Sequence, residues 1–135
     1  MVKVKKALLI VCSILVVIAF LIGGFHAWYF WIRPLKVYEF SLEEQVHHLE
    51  EFPSDEVVGP ITNAREAREK GVAVLMDVYG EEKILDEKPY IVFYDETADA
   101  WMVAGSLPPV FILGGTAHII INGSDGDVLA VWHEK

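Results

Sequence analysis

The sequence predicts an α+β protein in which an N-terminal transmembrane helix precedes two helices packed on a curved, four-stranded antiparallel sheet. Three observations carry this. No formally charged residue occurs from Ala7 to Ile32 if His26 is neutral. Two later segments repeat apolar residues at the helical period, and the stretch from Tyr90 to His133 reads as two hairpins of apolar strands joined by a crossover rich in proline and glycine. With 135 residues the chain has room for one compact domain beside a membrane segment, and not for two independent cores. The expected divisions are 1–34, a cytoplasmic N-terminus and transmembrane anchor; 35–61, a juxtamembrane helix and loop; and 62–135, the α+β domain.

At about 1.5 Å per residue, residues 7–32 are long enough as a helix to cross roughly 30 Å of hydrocarbon. Trp28, Tyr29, Phe30 and Trp31 then fall where aromatic side chains anchor the far interface, followed by Arg33 and Pro34. Lys3, Lys5, Lys6 and the amino terminus precede the run, and Arg33 and Lys36 follow it, which orients the N-terminus towards the cytoplasm and the C-terminal domain outside it. A cleaved signal peptide would want small residues at both specificity positions after the apolar run, but Phe25-His26-Ala27 places a phenylalanine at one of them. Cys12 follows Val11 near the start of the run, the wrong place for lipidation of a lipoprotein, so a single-pass anchor in the inner membrane is expected. As the only cysteine it leaves the folded part without an intramolecular disulfide and does not identify the compartment.

Lys36–Phe40 reads as a short connector. Ser41 with Glu44 three residues on has the capping-box pattern, Leu42, Val46 and Leu49 form an apolar stripe, and Pro53 ends that helix. Residues 52–61 are turn-rich. Thr62 or Asn63, with Glu66 following, caps a second helix whose Ala64, Ala67, Gly71, Val74, Leu75 and Val78 keep the 3.6 period, and Gly80 stops it. Gly71 in mid-helix costs about 1 kcal/mol relative to alanine, which points to a close crossing over the sheet. Residues 81–88 read as a charged connector. The strands are then Tyr90–Tyr94, 100–104, Thr116–Asn122 and Asp127–His133, with Trp101 and Val103 on one face and Ala100, Met102 and Ala104 on the other. Asp95–Asp99 makes the first hairpin loop, and the Asp125-Gly126 step marks the second turn.

Residues 37–135 hold all 20 Asp and Glu but only 6 of the 11 Lys and Arg, a formal −14. Such a domain repels nucleic acid and suits a basic protein partner, although acidity also serves solubility alone. The carboxylates expected to steer a partner are Glu81, Glu82, Asp86 and Glu87 in the connector and Asp95, Glu96 and Asp99 in the hairpin loop. No nucleophile elbow, phosphate loop, dinucleotide fingerprint or paired-cysteine metal site occurs, so no catalytic residue, cofactor or metal is expected. His47 and His48 are neighbours that point about 100° apart on a helix, and Asp125 and Asp127 lack the alternation of a calcium loop. Trp101 and Trp132 read as packing residues. His118 is the one candidate for a pocket acid–base, with a plain sheet-face histidine as the alternative.

Several short motifs resemble a known family. They are Tyr79-Gly80, Lys88-Pro89-Tyr90, the run from Trp101 to Pro108, Gly114-Gly115, Ile121, the run from Asp125 to Leu129, and His133. Over roughly Thr62–Lys135 this pattern resembles the small bacterial immunity proteins with a nuclear-transport-factor-two-like fold, found in polymorphic toxin systems. The resemblance implies a cone of helices on a curved antiparallel sheet, and a non-enzymatic function of binding and neutralising a protein toxin delivered by a neighbouring or sibling cell. The anchor departs from the simplest cytosolic members. Two other functions stay open: a small-ligand-binding or enzymatic cone domain using His118, and an envelope accessory or sensor domain with no toxin partner.

Overall fold

The computed structural model describes residues 1–29, 35–107 and 114–135. The expectations for Phe30, Trp31, Arg33 and Pro34, and for the crossover prolines Pro108 and Pro109, fall outside those residues. The chain forms two compact units, residues 1–34 and 35–135.

In the first unit, helix α1 runs from Val2 to Ala27 and none of its residues is buried. Its mean hydropathy reaches 3.0, and it is long and apolar enough to cross a membrane, a property that a signal sequence shares. It begins earlier than the uncharged run, because Lys3, Lys5 and Lys6 are good helix formers and extend it at the N-terminal end.

The second unit is built on one sheet of five strands in sequence order: β1 (Val37–Glu39), β2 (Ile91–Asp95), β3 (Ala100–Ala104), β4 (Ala117–Asn122) and β5 (Val128–His133). The expected sheet of four antiparallel strands is corrected here. The supposed connector at Lys36–Phe40 contributes β1, which pairs in parallel with β2, aligning Tyr38 with Phe93 and Glu39 with Tyr94. The other pairings are antiparallel, and a bulge at Leu129, where Ile120 faces Ala130 and Ile121 faces Val128, bends the sheet.

Helix α3 (Ala64–Tyr79) starts as its capping pattern requires. The Asn63 side chain accepts the Glu66 amide at 2.9 Å, and Glu66 reaches back to the Thr62 amide at 2.9 Å. Its buried stripe of Ala67, Gly71, Val74 and Leu75 lies on β3 and β4. A Cβ on Gly71 would come within 3.1 Å of Val103 and 3.2 Å of Ile119, so the glycine is what lets the helix backbone approach the sheet this closely. Between helix and sheet, Trp101, Val103, Ile119 and Ile121 form the larger core with Leu75, and Trp101 stacks on its cross-strand neighbour Tyr94 at 4.3 Å between ring centres.

The opposite face of the sheet carries a second core of Met102, Ile120, Ala130 and Trp132, covered by Phe40, Leu42 and Leu49. The covering segment is a 3₁₀ turn at Glu43–Gln45 followed by helix α2 (Val46–Glu51). The expected Ser41–Glu44 capping box is not made. The Leu42 amide donates instead to Asp95 Oδ2 at 2.8 Å, the helix starts later than Ser41, and Val46 ends 45% exposed while Leu42 and Leu49 pack inwards. Residues 81–88 likewise contain a helix, α4 (Glu81–Leu85), stabilised by burial of Ile84 and by the Tyr90 hydroxyl donating to the Ile84 carbonyl at 2.9 Å.

A fragment from Leu35 to Lys135 should unfold as one cooperative unit in denaturant. Trp101 is only 8% exposed, so Trp101→Ala should lower the stability of that fragment by about 3–5 kcal/mol. An unchanged midpoint would contradict the placement of the indole in the core.

Candidate functional site

The carboxylates singled out by the sequence fall into two groups. Glu81, Glu82 and Asp86 on and after α4, and Glu96 at the tip of the β2–β3 loop, are exposed. Asp95, Asp99 and Glu87 are engaged within the domain. Asp95 accepts the amides of Leu42, Thr97 and Ala98 at 2.8, 2.9 and 3.1 Å, and the Leu42 amide, then that of Ala98, hold its carboxyl below the usual carboxylate range. Asp99 has φ of 48° and accepts the Tyr94 hydroxyl at 3.0 Å, a bond that pushes the tyrosine's pKa up.

Glu87 is the most deeply placed of the set, 8% exposed at the end of the sheet. Its Oε2 accepts the Ala117 amide at 2.8 Å, its Oε1 lies 2.7 Å from His133 Nε2, and its main-chain carbonyl accepts the Ser106 amide at 2.7 Å. His133 Nδ1 lies 2.6 Å from the Glu134 carbonyl, so both ring nitrogens of His133 have a partner. The Tyr79 ring meets His133 edge-on at 5.5 Å. Burial first, and the Glu87 charge second, push the pKa of Tyr79 and of Tyr90 up. Chemically this is a polar clamp: it ties the end of the α4–β2 connector to the start of β4 and the end of β5.

His118 lies on the face of the sheet opposite α3, next to Ile120 and Trp132. Its ring stacks on Trp132 at 4.9 Å, and His48 of α2 stacks on the same indole at 4.2 Å. Nδ1 faces the Thr116 carbonyl at 2.9 Å, and Nε2 is 3.8 Å from Glu134. Burial is the largest influence and pulls the His118 pKa down, with nearby His48 acting the same way and Glu134 opposing. On the other face the core side chains fill the space beneath α3. Among the described residues no three His, Cys, Asp or Glu side chains converge as a metal site would require. His47 pairs with Glu51 at 2.9 Å.

A half-open concavity lies at the β1 side of the sheet. It holds about 330 Å³ between Tyr38, Glu39 and Phe40, Tyr94 of β2, and the turn residues Glu96 and Thr97. Tyr38 rests on Phe93 at 5.8 Å between ring centres, and the Lys36 ammonium sits 4.7 Å from the centre of the Tyr38 ring. Sequence reasoning missed Glu39 and Tyr38. The alternation in Val37-Tyr38-Glu39 was the available signal, but three residues are too few to separate a strand from a connector.

Residues 71–135 match the family model described as NTF2 fold immunity protein. This is the family the motifs between Tyr79 and His133 resemble, and the match takes in α4 and β2 to β5 together with the part of α3 from Gly71 onwards. A stretch of 57 residues, 42% of this chain, is 40% identical to the Uncharacterized protein YbbC of Escherichia coli (strain K12). The aligned stretch spans 45% of that protein, less than half its length. No solved structure matches the chain.

Two outcomes follow from this geometry. Glu87→Ala should cost about 3 kcal/mol or more, because it leaves His133 and the Ala117 amide without their partner, and a double-mutant cycle with His133→Ala should give a coupling of about 1–3 kcal/mol; additive effects would contradict the clamp. For His118 the folded pKa is depressed, so the unfolded chain takes up the proton first on acidification. Its contribution to stability is therefore present above about pH 6.5 and is lost as pH falls through the folded value. His118→Gln should flatten the decline in stability as pH falls below about 6.5. Identical slopes for both proteins would contradict it.

Proposed function

We propose that the chain is an immunity protein, held at the inner membrane by α1, whose C-terminal domain lies outside the cytoplasm and neutralises a protein toxin delivered by a neighbouring or sibling cell. The observation that carries this reading is the similarity of residues 71–135 to immunity proteins. The charge distribution agrees with it. Three lysines in the first turns of α1 precede its uncharged run, and the domain that follows is strongly acidic, as suits capture of a basic toxin from solution.

The reading is one of binding. The α3 side of the sheet is occupied by Leu75, Trp101, Ile119 and Ile121, and His118, the acid–base of the ligand-binding alternative, stacks on Trp132 on the other side. Neutralisation then needs only a surface complementary to the toxin.

Cells producing a candidate toxin taken from the neighbouring genes, exported to the periplasm, should die without the chain and survive with it. A version lacking residues 1–34, and so confined to the cytoplasm, should not protect. An alkaline phosphatase reporter fused after Lys135 should be active, and a reporter that works only in the cytoplasm should be silent. Protection by the cytoplasmic version, or activity of the cytoplasmic reporter alone, would overturn the proposed location; lack of any protection by the full chain would overturn the function.

A further inference from the structure

The two edges of the sheet are treated differently. The outer edge of β5 is covered by residues 52–58: Pro53 bridges to Ala130, Val57 bridges to Asp127, the Val128 amide donates to the Glu56 carbonyl at 2.9 Å, and the Val131 amide donates to the Phe52 carbonyl at 3.1 Å. The outer edge of β1 has no such cover among the described residues, since β1 ends the strand order and pairs only with β2. Folded proteins ordinarily cover, shorten or charge a free edge, because its unpaired amides and carbonyls are a template for another strand. Here the edge is short but carries Val37 and Tyr38 at 40% and 43% exposed.

The chemistry around this edge selects an occupant. Of the carboxylates near it, Asp95 is engaged by three main-chain amides, whereas the carboxylates of Glu39 and Glu96 are exposed and have no hydrogen bond or ion pair to a described residue. They flank the 330 Å³ concavity together with the aromatic rings of Tyr38, Phe40 and Tyr94. The Lys36 ammonium already occupies a cation–π position over Tyr38, so the ring face accepts a cation of this kind. Parity matters too. Val37 and Glu39 align with Val92 and Tyr94 on the α3 face, while Tyr38 aligns with Phe93 on the other. A strand laid beside β1 would present every second side chain to Glu39.

We propose that the free edge of β1 is the docking site for an extended, basic segment of the partner, added as a further strand, with alternate Lys or Arg side chains meeting Glu39 and Glu96 and the intervening apolar ones covering Tyr38 and Phe40. The proposal rests on the immunity reading for the identity of the partner, but not for the existence of the surface. Main-chain pairing supplies affinity, and the carboxylates supply charge selection and a salt-dependent association rate.

The test uses the full chain in nanodiscs of uncharged lipid, probed with a six-residue peptide alternating Lys and Val. The same peptide with Glu for Lys, and one with a central proline, serve as controls. The Lys peptide should bind and slow amide exchange at Val37–Glu39, the Glu and proline peptides should bind at least tenfold more weakly, and the double variant Glu39→Lys, Glu96→Lys should lose tenfold or more in affinity with an unchanged unfolding midpoint. Equal binding of Lys and Glu peptides, protection elsewhere only, or an unaffected double variant would overturn the proposal. A cell assay separates it from the reading beneath it. A double variant that protects against the toxin as well as the original chain overturns this docking site and leaves the immunity function standing; peptide binding at β1 in a chain that gives no protection supports the surface and overturns the immunity function.

Discussion

The second unit closes on one buried carboxylate. Glu87 sits where the α4–β2 connector, the end of β3, the start of β4 and the end of β5 meet, and it holds three of these through the Ser106 amide, the Ala117 amide and His133. Gly105, at the end of β3, has no side chain because a Cβ there would collide with the Glu87 side chain. Taking a carboxylate out of water costs several kcal/mol, and it is tolerated only where good partners meet every lone pair that needs one. The clamp therefore sets the relative positions of the segments around it: they must meet here, or the charge is left unpaired.

With that end of the sheet set, the two faces are closed by different means. On one, Gly71 lets α3 lie against Val103 and Ile119. On the other, a short segment from Phe40 to Leu49 covers Trp132 and Ile120, and its start is tied to the β2–β3 loop by the Leu42 amide and Asp95. The loop that continues from α2 runs along β5 and meets the β4–β5 turn, where the Val58 amide donates to the Gly126 carbonyl and the Ile61 amide to the Gly123 carbonyl. Gly126, with φ of 76°, packs directly on the Gly59 backbone and has no room for a side chain. Both the cover over β5 and the open-edged strand β1 thus come from residues 35–61, upstream of the stretch that matches the immunity family. The strand proposed to pair with the partner comes from outside the stretch that is similar to other proteins, while Tyr94 and Glu96 beside it come from within that stretch.

What could be read from the residues alone was local. The cap at Asn63, the stripe of α3 as far as Leu75, the stop at Gly80, the two hairpins and the opposite facing of Trp101 and Met102 all follow from patterns a few residues long, whereas Val78, expected on that stripe, is exposed. β1 was not legible because a three-residue strand leaves almost no period, and its parallel partner lies more than fifty positions away in Val92–Tyr94. Helix α4 was hidden by its charge: only Ile84 among Glu81–Leu85 is buried, and the turn is held by tertiary contact rather than propensity. Glu87, Asp95 and Asp99 looked like their exposed neighbours because nothing in a run of acidic residues tells which carboxylate a distant histidine or amide will claim. Free charge near the β1 edge is left to Glu39 and Glu96, and only one of these stood in a loop that sequence reasoning singled out.

The most direct test of the clamp as the constraint that closes the domain is native-state hydrogen exchange of the Ala117 amide, which donates to Glu87 Oε2. If the clamp opens only when the whole domain unfolds, this amide belongs to the slowest class, and its opening free energy equals the global value from denaturant unfolding under the same conditions. Exchange as fast as that of the turn amides around Ser124, well below the global value, would mean that the end of the sheet opens on its own and that Glu87 does not hold the fold together.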